Sequence, residues 1–192
     1  MKSTTNENRK NSKLNLSKKF IITLMLVLIS SPFFAQNAFD KYEGQKEVTF
    51  LIVNRKMFDL MSKVKVDTSD RETQQYMNLI KKLDNLKVFT TTSVTTTADM
   101  KATAERYIKT SGLEELMRVN DSGKSVKIFV KSGATDTQIR ELLMFIEGGS
   151  KANETVLMSL TGNFDLNEIS ILTDKMRIPG GDDLKKAAKN KK

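Results

Sequence analysis

Several short runs in this 192-residue chain hold residue types that could do chemistry, each asking for a different reaction. Ser122-Gly123-Lys124-Ser125 ends like a phosphate-binding loop, where backbone N–H groups and a lysine cradle an anion. The full pattern needs a glycine where Arg118 stands and a helix where Val126 to Lys131 reads as strand, so a hairpin turn is the better reading. Ser62 and Lys65 share the Ser-x-x-Lys spacing of serine acylases, but the Ser-Asp-Asn and Lys-Thr-Gly partners are missing. Asn163, Asp165 and Asn167 alternate like a calcium loop, yet Glu168 fills the glycine position and Asp174 that of the long glutamate. Asp165 and Glu168 fit a helix capping box instead. Glu114-Glu115 and Asp182-Asp183 are paired carboxylates, but neighbours in sequence diverge, and acid–base work needs two carboxyl groups about 5–10 Å apart across one cleft.

Composition removes more. The chain has no histidine and no cysteine. Imidazole bases, the Ser-His-Asp triad, thiol nucleophiles, disulfides and the usual nitrogen and sulfur zinc sites all fall away. No catalytic, cofactor-binding or metal-ligating residues are assigned, and no cofactor is expected.

The elements that must position any site begin after a distinctive leader. Lys10, Lys13, Lys18 and Lys19 precede an apolar run from Phe20 to Ile29, followed by Ser30, Ser31, Pro32 and a small residue, Ala35, before Gln36. This is the order of a secretory signal peptide, and the run is about half the ~20 residues a spanning helix needs. Residues 1–35 read as the signal, 36–181 as a single domain and 182–192 as a basic, disordered tail. An uncleaved anchor is the rival for the leader.

The leader holds six of the 32 basic residues and one of the 23 acidic, leaving +4 from the formal +9. Five lysines and two aspartates from Asp182 onward supply +3 of that. The body is nearly neutral. A nucleic-acid groove needs clustered cations with stacking aromatics, which are missing, so no nucleic-acid partner is expected. Membrane contact is expected only through the signal or weakly through the tail.

Along the body, Glu47–Asn54 is apolar on both alternating sets and predicts a central strand covered on both sides. Met57, Leu60, Met61 and Val64 share a helical face, as do Tyr76, Leu79, Ile80 and Leu83. Lys87–Thr92 reads as strand, and Thr95–Thr97 as the start of a helix with Met100, Ala104, Tyr107 and Ile108 inward and Gly112 as its stop. Leu113–Val119 predicts a helical turn running into a strand. Strands follow at Val126–Lys131, Arg140–Glu147 and Thr155–Thr161, then a turn at Gly162-Asn163-Phe164 and a last helix burying Leu166, Ile169, Leu172 and Met176. The methionines Met57, Met61, Met100, Met117, Met158 and Met176 fall at inward positions.

The fold class is therefore α+β: a mixed, largely antiparallel sheet of about five or six strands with helices packed mainly on one face. Lys127 and Lys131 alternate with the apolar residues of one strand and mark a partner-binding strand face, with strand addition at an exposed edge of the late meander as the docking mode.

Phe39-Asp40-Lys41-Tyr42, Met57-Phe58-Asp59-Leu60, Gly112-Leu113-Glu114-Glu115-Leu116-Met117, Arg140-Glu141-Leu142-Leu143 and Leu160-Thr161-Gly162-Asn163-Phe164-Asp165-Leu166, in that order, resemble a family of small exported Bacteroidetes proteins, domain of unknown function 4252. The resemblance brings no activity and no catalytic residues. It implies a part in envelope sensing or homeostasis, since such genes often lie near extracytoplasmic-function sigma factors. Many members look like lipoproteins; without the cleavage-site cysteine this chain is expected to be periplasmic or secreted and not a lipoprotein. The functional expectation is an exported, non-catalytic binding or interaction module with an unknown protein or envelope component as partner. The alternative is a periplasmic hydrolase in which a carboxylate and a lysine or tyrosine converge.

Overall fold

The computed structural model describes residues 38–64, 70–121, 123–135, 137–149, 153–176 and 179–189. The signal reading and Lys65 lie outside them. From Phe39 on, a 3₁₀ turn (Asp40–Tyr42) leads to β1 (Thr49–Asn54), α1 (Arg55–Ser62), α2 (Arg71–Ile80), β2 (Leu83–Thr91) and α3 (Val94–Ser111). A meander follows, β3 (Glu114–Asp121), β4 (Lys124–Ser132), β5 (Gln138–Gly149) and β6 (Glu154–Asp165). A 3₁₀ turn (Leu166–Glu168), α4 (Ile169–Met176) and α5 (Gly181–Lys189) close the order.

The strands form one sheet in the order β1-β2-β6-β5-β4-β3. Every pairing is antiparallel, so the α+β class holds and the expected mixture resolves to a purely antiparallel sheet. Alternation then assigns the two faces. Leu86, Val88, Ile128, Leu142, Met144, Met158 and Leu160 look to one side, where Phe58 of α1, Leu79 and Ile80 of α2, Leu172 of α4 and Leu184 of α5 complete the main core. On the other side, Phe89, Phe129, Leu143, Phe145 and Leu157 are buried with Met100, Ala104 and Tyr107 of α3 and with Phe39 and Tyr42 of the first turn. Ring contacts tie that layer together: Phe39 lies 5.0 Å from Tyr107, and Tyr42 lies 5.7 Å from Phe89. Four helices on one face and one on the other match the expected layering.

Local chemistry fixes the boundaries. Asn54, Asp70 and Ser93 cap α1, α2 and α3 through their side chains, and Gly112 ends α3 in the left-handed conformation that costs an L side chain about 1–2 kcal/mol. Ser93, ahead of the threonine run, is thus the start of α3. The Asp165–Glu168 capping box forms as read, with the Glu168 carboxylate accepting from the Asp165 N–H at 3.1 Å.

Some expectations are corrected. β1 is an edge strand, not a central one: apolar residues on both alternating sets show that a run avoids water, but not what covers it. Gly162-Asn163-Phe164 does not turn; β6 runs through it to Asp165, and a Cβ at Gly162 would lie 2.4 Å from the Lys82 carbonyl oxygen of the neighbouring chain segment. Leu113–Val119 has no helical turn and enters β3 directly after Gly112. The segment from Asp182 to Lys189, read as solvated tail, is helix α5. Among its described side chains, Leu184 and the ion pair of Asp183 with Lys124 at 2.7 Å anchor it, and a single leucine gives no periodic signal.

Candidate functional site

The motifs singled out in the sequence resolve into structural roles. Gly123 and Lys124 form the β3–β4 hairpin, with Asp121 opposite Lys124. The Ser62 hydroxyl donates to the Asp59 carbonyl at 2.8 Å, closing the end of α1. Glu114 and Glu115 sit exposed on β3, where successive side chains point to opposite faces. Among the described residues no three histidines, cysteines, aspartates or glutamates stand close enough to hold a metal ion.

The structure brings a carboxylate and a tyrosine together in two places, one of them buried. Tyr107 of α3 donates its hydroxyl to Glu141 of β5 at 2.6 Å, and the two residues are only 6% and 8% exposed. Burial pushes the Glu141 carboxyl above its ordinary range, while the Tyr107 hydrogen bond and, more weakly, Lys131 pull it down. Burial raises Tyr107 as well, and the adjacent Glu141 raises it further. Both groups therefore favour their protonated forms. A general acid–base pair needs the two pushed apart and open to substrate; this pair is closed beneath α3 and acts as a polar rivet between helix and sheet. A second rivet lies nearby, where Asp99 of α3 accepts from Lys41 at 2.6 Å and from Tyr42 at 2.9 Å. Those two donors hold the Asp99 carboxyl below its usual range.

Lys127 and Lys131 lie on β4, whose two sides are already paired with β3 and β5. Lys131 is exposed opposite Glu141; Lys127 is half-buried opposite Phe145. They share the α3 face of the sheet but border no free edge. The edge of the meander is β3, which carries Glu114, Glu115, Arg118 and Asp121 and a register irregularity between Glu115 and Met117. Charge and irregularity are the usual defences of an edge strand.

The opposite edge has neither. β1 reads Thr-Phe-Leu-Ile-Val-Asn, pairs in unbroken register with β2 alone among the described residues, and exposes Phe50 to 47% and Leu51 to 41%. Immediately after it, Met57 and Leu60 of α1 are half exposed at 50% and 54%, and Val64 is exposed beyond them. Phe58 is the one residue of α1 that is fully buried. Met57, Leu60 and Val64 of the stripe therefore face outward, opposite to the inward reading, while Met61 packs half-buried against the core as expected. A helix of eight residues needs only one deep anchor, and α1 takes Phe58 for it. The outcome is an undefended strand edge beside an apolar helix face.

The family model for the domain of unknown function DUF4252 matches residues 42–172. The chain belongs to that family. Comparison with curated proteins and with solved structures gives no match. The DUF4252 region contains β1, α1, the Tyr107–Glu141 pair and the whole sheet; it ends within α4, ahead of α5.

Neither the Tyr107–Glu141 pair nor the β1 edge was singled out from sequence as a site, and only the pair left traces. Glu141 is a charge in phase with the apolar Leu143 and Phe145 of its strand, and Tyr107 follows Met100 by two helical turns. The β1 edge left no trace, because a strand's place in a sheet depends on partners far along the chain.

Proposed function

We propose that this protein is an exported, non-catalytic interaction module of the cell envelope that docks a protein partner along β1 and α1. The observation that carries this reading is the uncharged, unbroken β1 edge flanked by the exposed Met57 and Leu60. Main-chain groups on such an edge supply affinity by strand addition, and the neighbouring apolar side chains supply selectivity. The basic–apolar–small order of residues 10–36 supports export. The chain's lack of histidine and cysteine, and the enclosure of the Tyr107–Glu141 pair, support binding over hydrolysis. Strand addition thus keeps the chemistry expected from sequence but uses the apolar edge, since the charged β3 edge repels it.

The test is a photo-reactive residue at Leu60 of the full chain in its native cells, with the exposed Glu105 on the opposite helical layer as control. Adducts at Leu60 far exceeding those at Glu105, in the envelope fraction, are expected. Equal labelling at the two positions, or a protein that stays in the cytosol, would overturn the proposal.

A further inference from the structure

We infer that α5 is a releasable strap, which leaves the sheet as a unit while the rest of the domain stays folded and so bares an apolar strip on β4 and β5. The helix lies on the β4 side of the sheet, on the face that holds the main core. The DUF4252 match ends at residue 172, so α5 stands wholly beyond the region matched by the family model.

The closed position is specific. Alternation along β4 puts Lys124 on the same face as Val126 and Ile128, both buried in the main core. From α5, Asp183 accepts from Lys124 at 2.7 Å, and Leu184 enters that core beside it. Asp183 is only 8% exposed; a carboxylate so far from water needs a partner, and Lys124 supplies it. Just ahead of the helix, Gly180 takes a φ of +79° and lies against Ile146 and Met144 of β5. A Cβ there would come within 2.6 Å of both side chains. Ile146 stands opposite Val126 in the ladder, so helix and glycine together cover one row of the sheet.

The same contacts are few enough to come apart alone. Among the described side chains of this nine-residue helix, Leu184 is the one hydrophobic member of the main core. The strands beneath are held by ladders on both sides, β4 by β3 and β5, and β5 by β4 and β6. Their register does not depend on α5. Anchoring this unequal divides a fold into parts that open at different free energies. Val119 of β3 stands opposite Val126 on the same face and is 41% exposed. Release therefore joins Val126 and Ile146 to apolar surface that is already open, making one strip across three strands.

A chain without cysteine accepts a single thiol as a reporter. Val126→Cys places it beneath the strap, and Val88→Cys, buried in the same core on β2, reports opening of the whole fold. Each variant of the full chain is treated with iodoacetamide without denaturant, after circular dichroism has confirmed that it is folded. The thiol at 126 is expected to react at least about tenfold faster than the thiol at 88. Adding Lys124→Met strands the Asp183 carboxylate and is expected to speed position 126 by about 10–100-fold, the worth of a hydrogen bond to a charged group, with position 88 unchanged. Leu184→Ala, which alters the strap and leaves the β3–β4 hairpin intact, is expected to speed position 126 alone as well. Equal rates at 126 and 88 would mean that α5 leaves only when everything unfolds, and would overturn the strap. A Leu184→Ala variant with no effect at 126 would place the opening in the hairpin and overturn it too, as would either substitution speeding both thiols alike.

Discussion

Phe58→Ala lowers the unfolding free energy by about 3–5 kcal/mol, whereas Leu60→Ala, two residues on, shifts it by no more than about 0.5 kcal/mol. Phe58 is fully buried among the main-core residues, and α1 has no other side chain of that kind. Truncation removes its transfer free energy and leaves a cavity that the sheet below cannot collapse into, since strand positions are fixed by their ladders. Domains of this size are stable by only about 5–15 kcal/mol, so the loss is a large share of the whole. Leu60 is more than half exposed and gives up little area. Urea titration of the two variants checks the contrast. If Leu60→Ala cost as much as Phe58→Ala, the outward assignment of the stripe would fail, and with it the docking surface.

Tyr107→Phe costs about 0.5–3 kcal/mol, the range from a neutral hydrogen bond to one made to a charged group, and costs least in acid, where Glu141 is protonated. The sign follows from Glu141. Its folded-state pKa is raised above the ordinary 4.5 by burial, so the native protein binds more protons than the unfolded chain as pH climbs from about that value. Glu141 therefore contributes stability that is complete below the unfolded pKa and is lost as pH rises through the folded one. The tyrosine hydroxyl limits that loss by supporting the ionised form; without it the native carboxylate has no such donor and the penalty deepens. Glu141→Gln keeps an acceptor for Tyr107 but no charge. Its stability should lie flat across the window in which the wild type declines, matching or exceeding the wild type at neutral pH. Thermal melts between pH 4 and 8, roughly the span between the carboxylate and histidine ranges, would show this. An unchanged pH slope in the glutamine variant would mean that Glu141 does not titrate with folding.

The legible and illegible parts of this fold divide along a physical line. Interactions within a few residues were readable: the Asp165–Glu168 box, Gly112 at the end of α3, and the alternation of Val126, Ile128 and Val130 all depend on near neighbours. Relations set by distant partners were not. β1 carries the same apolar residues whether it lies at the centre or the edge of a sheet, and only its pairing with β2, some forty residues on, decides which. The α1 stripe shows the same gap, since helical spacing finds an apolar face without saying whether Phe58 or Leu60 looks inward. Tyr107 and Glu141 sit 34 residues apart, and their meeting depends on the route α3 takes across β5. Residues 182–189 misled by composition, because their lysines hide one leucine and one aspartate that dock the helix.

A docking role for β1 requires that its edge be covered when the protein is at work. Hydrogen exchange of the amides from Thr49 to Asn54, measured on protein isolated gently from the envelope, addresses this most directly. Amides pointing away from β2 are expected to be slowed alongside those pointing toward it, with Leu51→Lys releasing only the outward set. Outward amides that exchange as fast in the wild type as in the variant would show a bare edge and contradict it.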